Sequence, residues 1–93
     1  MPASDGVFRA LADPTRRRIL ELLADGDLTA GEIADQFSSA FGTVSRHLGV
    51  LRDAGLVDTE REGQFIRYRL NTTVYQDLVR YLMKVLKKGA VDA

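Results

Sequence analysis

Ala40-Phe41-Gly42-Thr43-Val44-Ser45-Arg46-His47-Leu48-Gly49-Val50-Leu51-Arg52-Asp53-Ala54-Gly55-Leu56-Val57 is the stretch whose reading decides the fold. Val44, Leu48 and Leu51 recur at the three- and four-residue steps of one helix face, while Thr43, Ser45, Arg46 and Arg52 fall off that face. One side of the predicted helix is core; the other is hydrogen-bonding and cationic. Gly55 is placed to end it in a left-handed conformation, with Leu56 folding back onto Leu51 in a Schellman-type contact. A helix with short hydroxyls and an arginine near its start, followed at once by a hairpin, has the makeup of a major-groove reader with a wing.

The hairpin follows from a change of period. In Phe65-Ile66-Arg67-Tyr68-Arg69-Leu70, the residues Ile66, Tyr68 and Leu70 alternate with Phe65, Arg67 and Arg69, which predicts a half-buried strand with a cationic outer face. Val57 to Arg61 is its expected antiparallel partner and Glu62-Gly63-Gln64 the turn. Asn71 then caps a last helix whose apolar stripe is Val74, Leu78, Tyr81, Leu82, Val85 and Leu86. That stripe is wider than one small core needs, so part of it is expected to meet a second subunit.

Upstream of the opening stretch, Thr29 and Glu32 fit a capping box, and Leu28 with Ile33 a hydrophobic staple, starting a helix that runs to about Phe37. Ser38 and Ser39 form the turn, and two helices so joined make a helix-turn-helix candidate. Asp13-Pro14 reads as N-cap and N1 of an earlier helix that buries Ile19, Leu20, Leu22 and Leu23 and stops at Gly26. Arg16, Arg17 and Arg18 are expected on its solvated surface, with Arg17 pairing to Glu21 one turn on. Asp5 caps a first helix with Val7, Phe8 and Leu11 on its apolar edge; it is too short to stand alone.

Ninety-three residues make one domain, residues 1–93, whose small core would gain from a second copy. The absence of cysteine removes disulfides, thiolate metal sites and cysteine nucleophiles. Charge interrupts every apolar run, so no membrane insertion and a cytoplasmic location are expected. Thirteen Lys and Arg balance thirteen Asp and Glu, but unevenly. Residues 1–39 hold four cations against seven acids, residues 40–70 five against four, and the remainder four against two, a mild asymmetry that favours DNA binding only weakly. No second histidine, glycine-rich phosphate loop or acid cluster at ligand spacing is present, so neither a catalytic site nor a cofactor is expected.

Asp13-Pro14-Thr15-Arg16-Arg17-Arg18-Ile19-Leu20, Thr43-Val44-Ser45-Arg46-His47-Leu48, Val50-Leu51, Ala54-Gly55-Leu56-Val57 and Glu62-Gly63-Gln64 with Tyr68 and Leu70 resemble the ArsR family of winged-helix repressors. The resemblance covers roughly residues 5 to 88, and the order of the motifs makes it specific. Val7-Phe8, Gly63-Gln64-Phe65-Ile66 and Leu70-Asn71-Thr72-Thr73-Val74 with Gln76-Asp77 are similar, more narrowly, to the SdpR-type autorepressor branch. The resemblance implies a homodimer joined through its first and last helices, binding to a double-stranded operator, and repression relieved by a signal, for which a protein partner is one candidate. Metal-sensing members carry paired cysteines or a histidine- and acid-bearing last helix. This chain has no cysteine, and its only histidine is His47, so no such metal site is expected.

The turn departs from the family pattern. Ser39 stands where an aliphatic residue is usual, Ala40 where a capping serine is usual and Phe41 where a polar or basic residue is common. Ser39 is expected to cap in place of Ala40, and the Phe41 ring to fill the missing aliphatic volume in preference to touching a thymine methyl. His47 reads as a phosphate contact or a packing residue, and Arg46 as a base or phosphate contact. Arg67 reads as a wing phosphate contact, with Glu60 and Glu62 weakening the grip, and Gly49 as a close backbone approach.

The expected architecture is α+β: a winged helix-turn-helix of four helices, a two-stranded hairpin wing and a C-terminal helix, homodimeric. DNA-contact candidates are Phe41, Thr43, Ser45, Arg46, His47, Arg61, Gln64 and Arg67; dimer candidates are Val7, Phe8, Leu11, Leu78, Tyr81, Leu82 and Val85. The expected function is a repressor on a partly palindromic operator; the alternative is a dimeric interaction module with weak or lost DNA binding.

Overall fold

The computed structural model describes residues 5–92, with side chains to residue 89. The elements are α1 (Asp5–Leu11), α2 (Pro14–Ala24), β1 (Leu28–Thr29), α3 (Ala30–Ala34), α4 (Phe41–Asp53), β2 (Val57–Glu62), β3 (Phe65–Leu70) and α5 (Thr72–Asp92). Local chemistry places most boundaries. The Asp13 carboxylate accepts the Arg16 N–H at 3.0 Å with Pro14 at the first helical position, which starts α2. Glu32 N–H donates to Thr29 Oγ1 at 3.2 Å while Thr29 N–H donates to Glu32 Oε1 at 2.8 Å, the reciprocal pair of a capping box. The N–H groups of Arg16 and Thr29 favour the ionised carboxylates they donate to, and hold the Asp13 and Glu32 pKa values below the ordinary range.

Three boundaries differ from expectation. Asp5 is the first helical residue of α1, not its cap. The helix α3 ends at Ala34, because Asp35 closes it at the C-cap and Phe37 reaches the core from the following turn. At the start of α4, Ala40 occupies the N-cap with no side-chain hydrogen bond, so Ser39 does not cap.

The sheet has three antiparallel strands in the order β1-β3-β2 rather than two. An N-cap residue needs extended backbone, and Thr29, at φ −77° and ψ 162°, therefore lies flat enough to pair with Arg67, as Leu28 does with Tyr68. This short pairing covers an edge of β3 that would otherwise be open. In the β2–β3 hairpin, here the wing, Glu62 pairs with Phe65, leaving only Gly63 and Gln64 in the turn. Gly63 has φ +60°, as the first position of a type II′ turn requires.

The core gathers Val7 and Ala10 from α1, Ile19, Leu20 and Leu23 from α2, Ile33 from α3, Val44, Leu48 and Leu51 from α4, then Leu56, Val57 and Tyr68. Alternation holds on β3 for Tyr68 and Leu70 but fails at Ile66, which is exposed because the wing projects past the core there. Val74, Tyr75 and Leu78 dock the first turns of α5. Farther along, Val79, Leu82, Met83, Val85 and Leu86 are exposed, and the molecule is 52 Å long. Among the described residues no helix is long and apolar enough to cross a membrane.

Candidate nucleic-acid interface

The helix α4 is fixed on one side and open on the other. Val44, Leu48 and Leu51 are buried, and the C-terminus is locked by Leu56 N–H to Leu51 O at 3.0 Å and Gly55 N–H to Arg52 O at 2.9 Å. With Gly55 at φ +79°, these are the two bonds of a Schellman motif, and both Leu51 and Leu56 are buried beneath it. A side chain on the outer face is thereby held on a rigid element. Thr43, Ser45 and Arg46 occupy that face, exposed and with no hydrogen-bond or ion-pair partner for their side chains among the described residues. The first turn has no side-chain cap, so its positive end stays open to an anion.

His47 lies on the flank of α4 and points back into the molecule. Its side chain is 18% exposed, with Nδ1 3.2 Å from Arg16 Nη1 and 3.9 Å from Asp13 Oδ2. A guanidinium can only donate, so Nδ1 is the acceptor and the ring proton sits on Nε2. Of the two roles expected for His47, this geometry serves packing, and Nε2 is the nitrogen left for any further partner. The same contact takes Arg16 out of the solvated arginine run: Arg16 also donates to Ala10 O and Arg9 O, while Arg17 and Arg18 are exposed as expected, Arg17 donating to Leu11 O at 2.8 Å. These bonds satisfy the last carbonyls of α1, a helix too short to persist unaided. Glu21 pairs with Arg18 at 3.4 Å instead of with Arg17.

On the wing, Arg67 donates to Glu62 at 3.0 Å, and this carboxylate raises the Arg67 pKa. Arg69 donates to Glu60 at 2.9 Å. Arg61 and Gln64 are exposed and have no side-chain partner among the described residues, so the wing's free cation is Arg61, where the sequence had favoured Arg67.

Phe41 does not fill a gap in the turn. Its ring is 57% exposed, and with Phe65, Ile66 and Gln64 it lines a cleft of about 330 Å³ floored by Thr29, Ala30 and Gly31. The start of α4 and the tip of the wing thus share one apolar surface, which sequence reasoning missed because Phe65 and Ile66 looked like ordinary strand residues. Gly49 meets nothing within 4 Å of where a Cβ would stand, so among the described residues no other element's backbone approaches it there.

The dimer candidates separate by burial. Val7 belongs to the subunit's own core, and Leu11 and Leu78 pack against it, which leaves little of them for a partner. Phe8, Tyr81, Leu82 and Val85 present surface, with the Phe8 ring edge-on to Tyr81 at 5.9 Å. Val79, Met83 and Leu86 extend that surface and were not among the candidates.

The Helix-turn-helix domain family matches residues 11–60, more than half of the chain. The transcriptional repressor SdpR of Bacillus subtilis (strain 168) is 47% identical over 88 residues, covering 95% of this chain and 98% of that protein. The arsenic resistance transcriptional regulator ArsR1 of Pseudomonas putida is 39% identical, over 94% of this chain and 65% of its own length. Among solved structures, an ArsR-like transcriptional regulator from Rhodococcus sp. RHA1 superposes with a TM-score of 0.86 at 30% identity, over 94% of this chain and 80% of that one. A possible transcriptional regulator for arsenical resistance gives 0.78 at 33% identity, over 98% of both chains. On the matched domain, the identity to a relative over nearly its whole length and the shared three-dimensional arrangement, this chain belongs to the ArsR family of winged helix-turn-helix transcriptional regulators.

Proposed function

We propose that this protein is a homodimeric repressor, acting as one domain in the cytoplasm, that binds a partly palindromic operator with one α4 in each major-groove half-site. Arg46 carries this reading: an exposed guanidinium with no partner among the described residues, on a helix whose opposite face is sealed into the core. Bidentate donation to guanine O6 and N7 is the contact that suits it, with Thr43, Ser45 and Phe41 beside it. The wing contributes Arg61 and Gln64 first and Arg67 second, since a phosphate must compete with Glu62 for Arg67. His47 acts from behind α4 as a packing residue, through Nδ1 to Arg16. The subunits join through Phe8, Tyr81, Leu82 and Val85, extended by Val79, Met83 and Leu86. Neither catalysis nor a thiolate or histidine-rich metal site enters this scheme. A protein partner that relieves repression rests on the family resemblance.

Anisotropy titration on the DNA upstream of the protein's own gene, against a scrambled duplex, tests the proposal. Saturable binding with two subunits per operator is expected, and Arg46→Ala should cost about 1–3 kcal/mol per half-site, mostly on the cognate sequence. Absence of sequence-dependent binding at low salt would leave the interaction-module reading in its place.

A further inference from the structure

One guanidinium joins three elements. Arg16 Nε donates to Ala10 O at 2.8 Å, Nη2 to Arg9 O at 3.1 Å and Nη1 to His47 Nδ1 at 3.2 Å. The planar fork fixes the directions of all three bonds, so the end of α1 and the middle of α4 are held in one arrangement. Asp13 sits beneath, capping α2 through the Arg16 N–H. At its other face, α1 meets α5 where Phe8 stands edge-on to Tyr81. Contacts therefore run without a gap from the exposed apolar surface of α5, through α1, to the helix that carries Arg46.

We propose that Arg16, acting through His47, is a positioning residue for operator recognition: it fixes α4 relative to α1 and thereby sets the separation of the two reading helices in the dimer. The inference rests on the homodimer reading above. Each base pair added between half-sites moves one of them about 3.4 Å along and about 35° around the duplex. Rigidly placed helices discriminate steeply between spacings, and loosened ones do not. Simple loss of stability would lower affinity at every spacing alike.

The test measures affinity of the wild type, Arg16→Ala, His47→Asn and His47→Gln for operators with one base pair inserted or removed between half-sites. Sedimentation and thermal unfolding establish that each variant is a folded dimer. Asn puts an acceptor where Nδ1 stands, and Gln puts an amide where Nε2 stands, so the pair separates the Arg16 bond from any contact through Nε2. The wild type should lose about tenfold or more per spacing change, on the scale of a mismatched base pair. Arg16→Ala and His47→Gln should vary less than about threefold across the series, having lost a bond worth a comparable factor, while His47→Asn keeps the wild-type profile. A folded Arg16→Ala dimer with the wild-type profile overturns the proposal, as does retention by Gln with loss by Asn. Should Arg16→Ala not fold, the Asn and Gln variants decide. A wild-type dimer that binds without a spacing optimum overturns this inference alone, whereas a wild type that neither dimerises nor binds overturns the proposed function with it.

Discussion

Arg67 Nε lies 3.0 Å from Glu62 Oε1, so this wing arginine is held by the hairpin that presents it, with its Nη1 reaching Asp27 O at 3.5 Å. Arg61 has no such restraint. Arg61→Ala should weaken binding to cognate and random DNA alike, and its loss from both subunits should lower the magnitude of the log K against log salt slope by roughly 1.8. Arg67→Ala should change that slope less, because the free protein already compensates its charge. A salt titration of both variants checks this, and a larger effect at Arg67 would reverse the assignment.

Phe41 stands in the open beside Arg46's face of α4, where an apolar ring can meet the C5-methyl of thymine. Replacing the contacted thymine by uracil removes one methyl group, a loss of ~0.8 kcal/mol or about fourfold in affinity. Phe41→Ala should weaken the thymine operator and make it indifferent to that replacement. Equal sensitivity of wild type and variant at every thymine would exclude the contact.

On α5, Leu82 is exposed midway along the apolar surface assigned to the partner subunit. Leu82→Asp would bury an unpaired charge in a two-fold interface and should yield monomer. Because Leu82 lies outside the subunit core, the monomer should keep its helical circular dichroism. Sedimentation of an intact dimer would move the interface elsewhere.

Tyr75 poses the opposite question. Its hydroxyl is buried without a hydrogen-bond partner among the described residues, and desolvation pushes its pKa up to about 12. Tyr75→Phe removes an unsatisfied group and should raise stability by ~1 kcal/mol, read from denaturant midpoints. Destabilisation of that size would mean that the second subunit supplies the missing partner.

Acid should weaken the fold through its caps. Asp13 and Glu32 have folded-state pKa values below their unfolded ones, chiefly through the backbone N–H groups of Arg16 and Thr29. Their stabilising contribution is complete above the unfolded values, about 3.9 and 4.3, and is lost as pH falls through the lower folded ones. Thermal midpoints should therefore drop from about pH 5 downward. Asp13→Asn keeps a capping oxygen but cannot titrate, so it should flatten that slope, as should Glu32→Gln; an unchanged slope in the double variant would place the acid sensitivity elsewhere.

Interactions that span few residues were readable before any coordinates. The Asp13-Pro14 start, the Thr29–Glu32 box, the Gly55 stop under Leu51 and Leu56, and the buried face of α4 each depend on residues within seven positions of one another. Their geometry follows from backbone stereochemistry alone, and they placed the helix-turn-helix; the equally local alternation of Phe65 to Leu70 placed the wing. The family resemblance rested on the same local motifs.

What the tertiary structure decided lies between residues far apart in the chain. Arg16 meets His47 across 31 positions, and Leu28 pairs with Tyr68 only because the wing returns to the start of α3. Two adjacent residues have no periodicity to reveal a strand. Whether Arg67 or Arg61 is free depends on which carboxylate stands across the hairpin, and whether Phe41 or Val7 is buried depends on what the fold brings against it. Side-chain type fixes what a group can bond to; only packing fixes what is there to bond, which is why the sequence shows the bonding capacity of these side chains and not their partners.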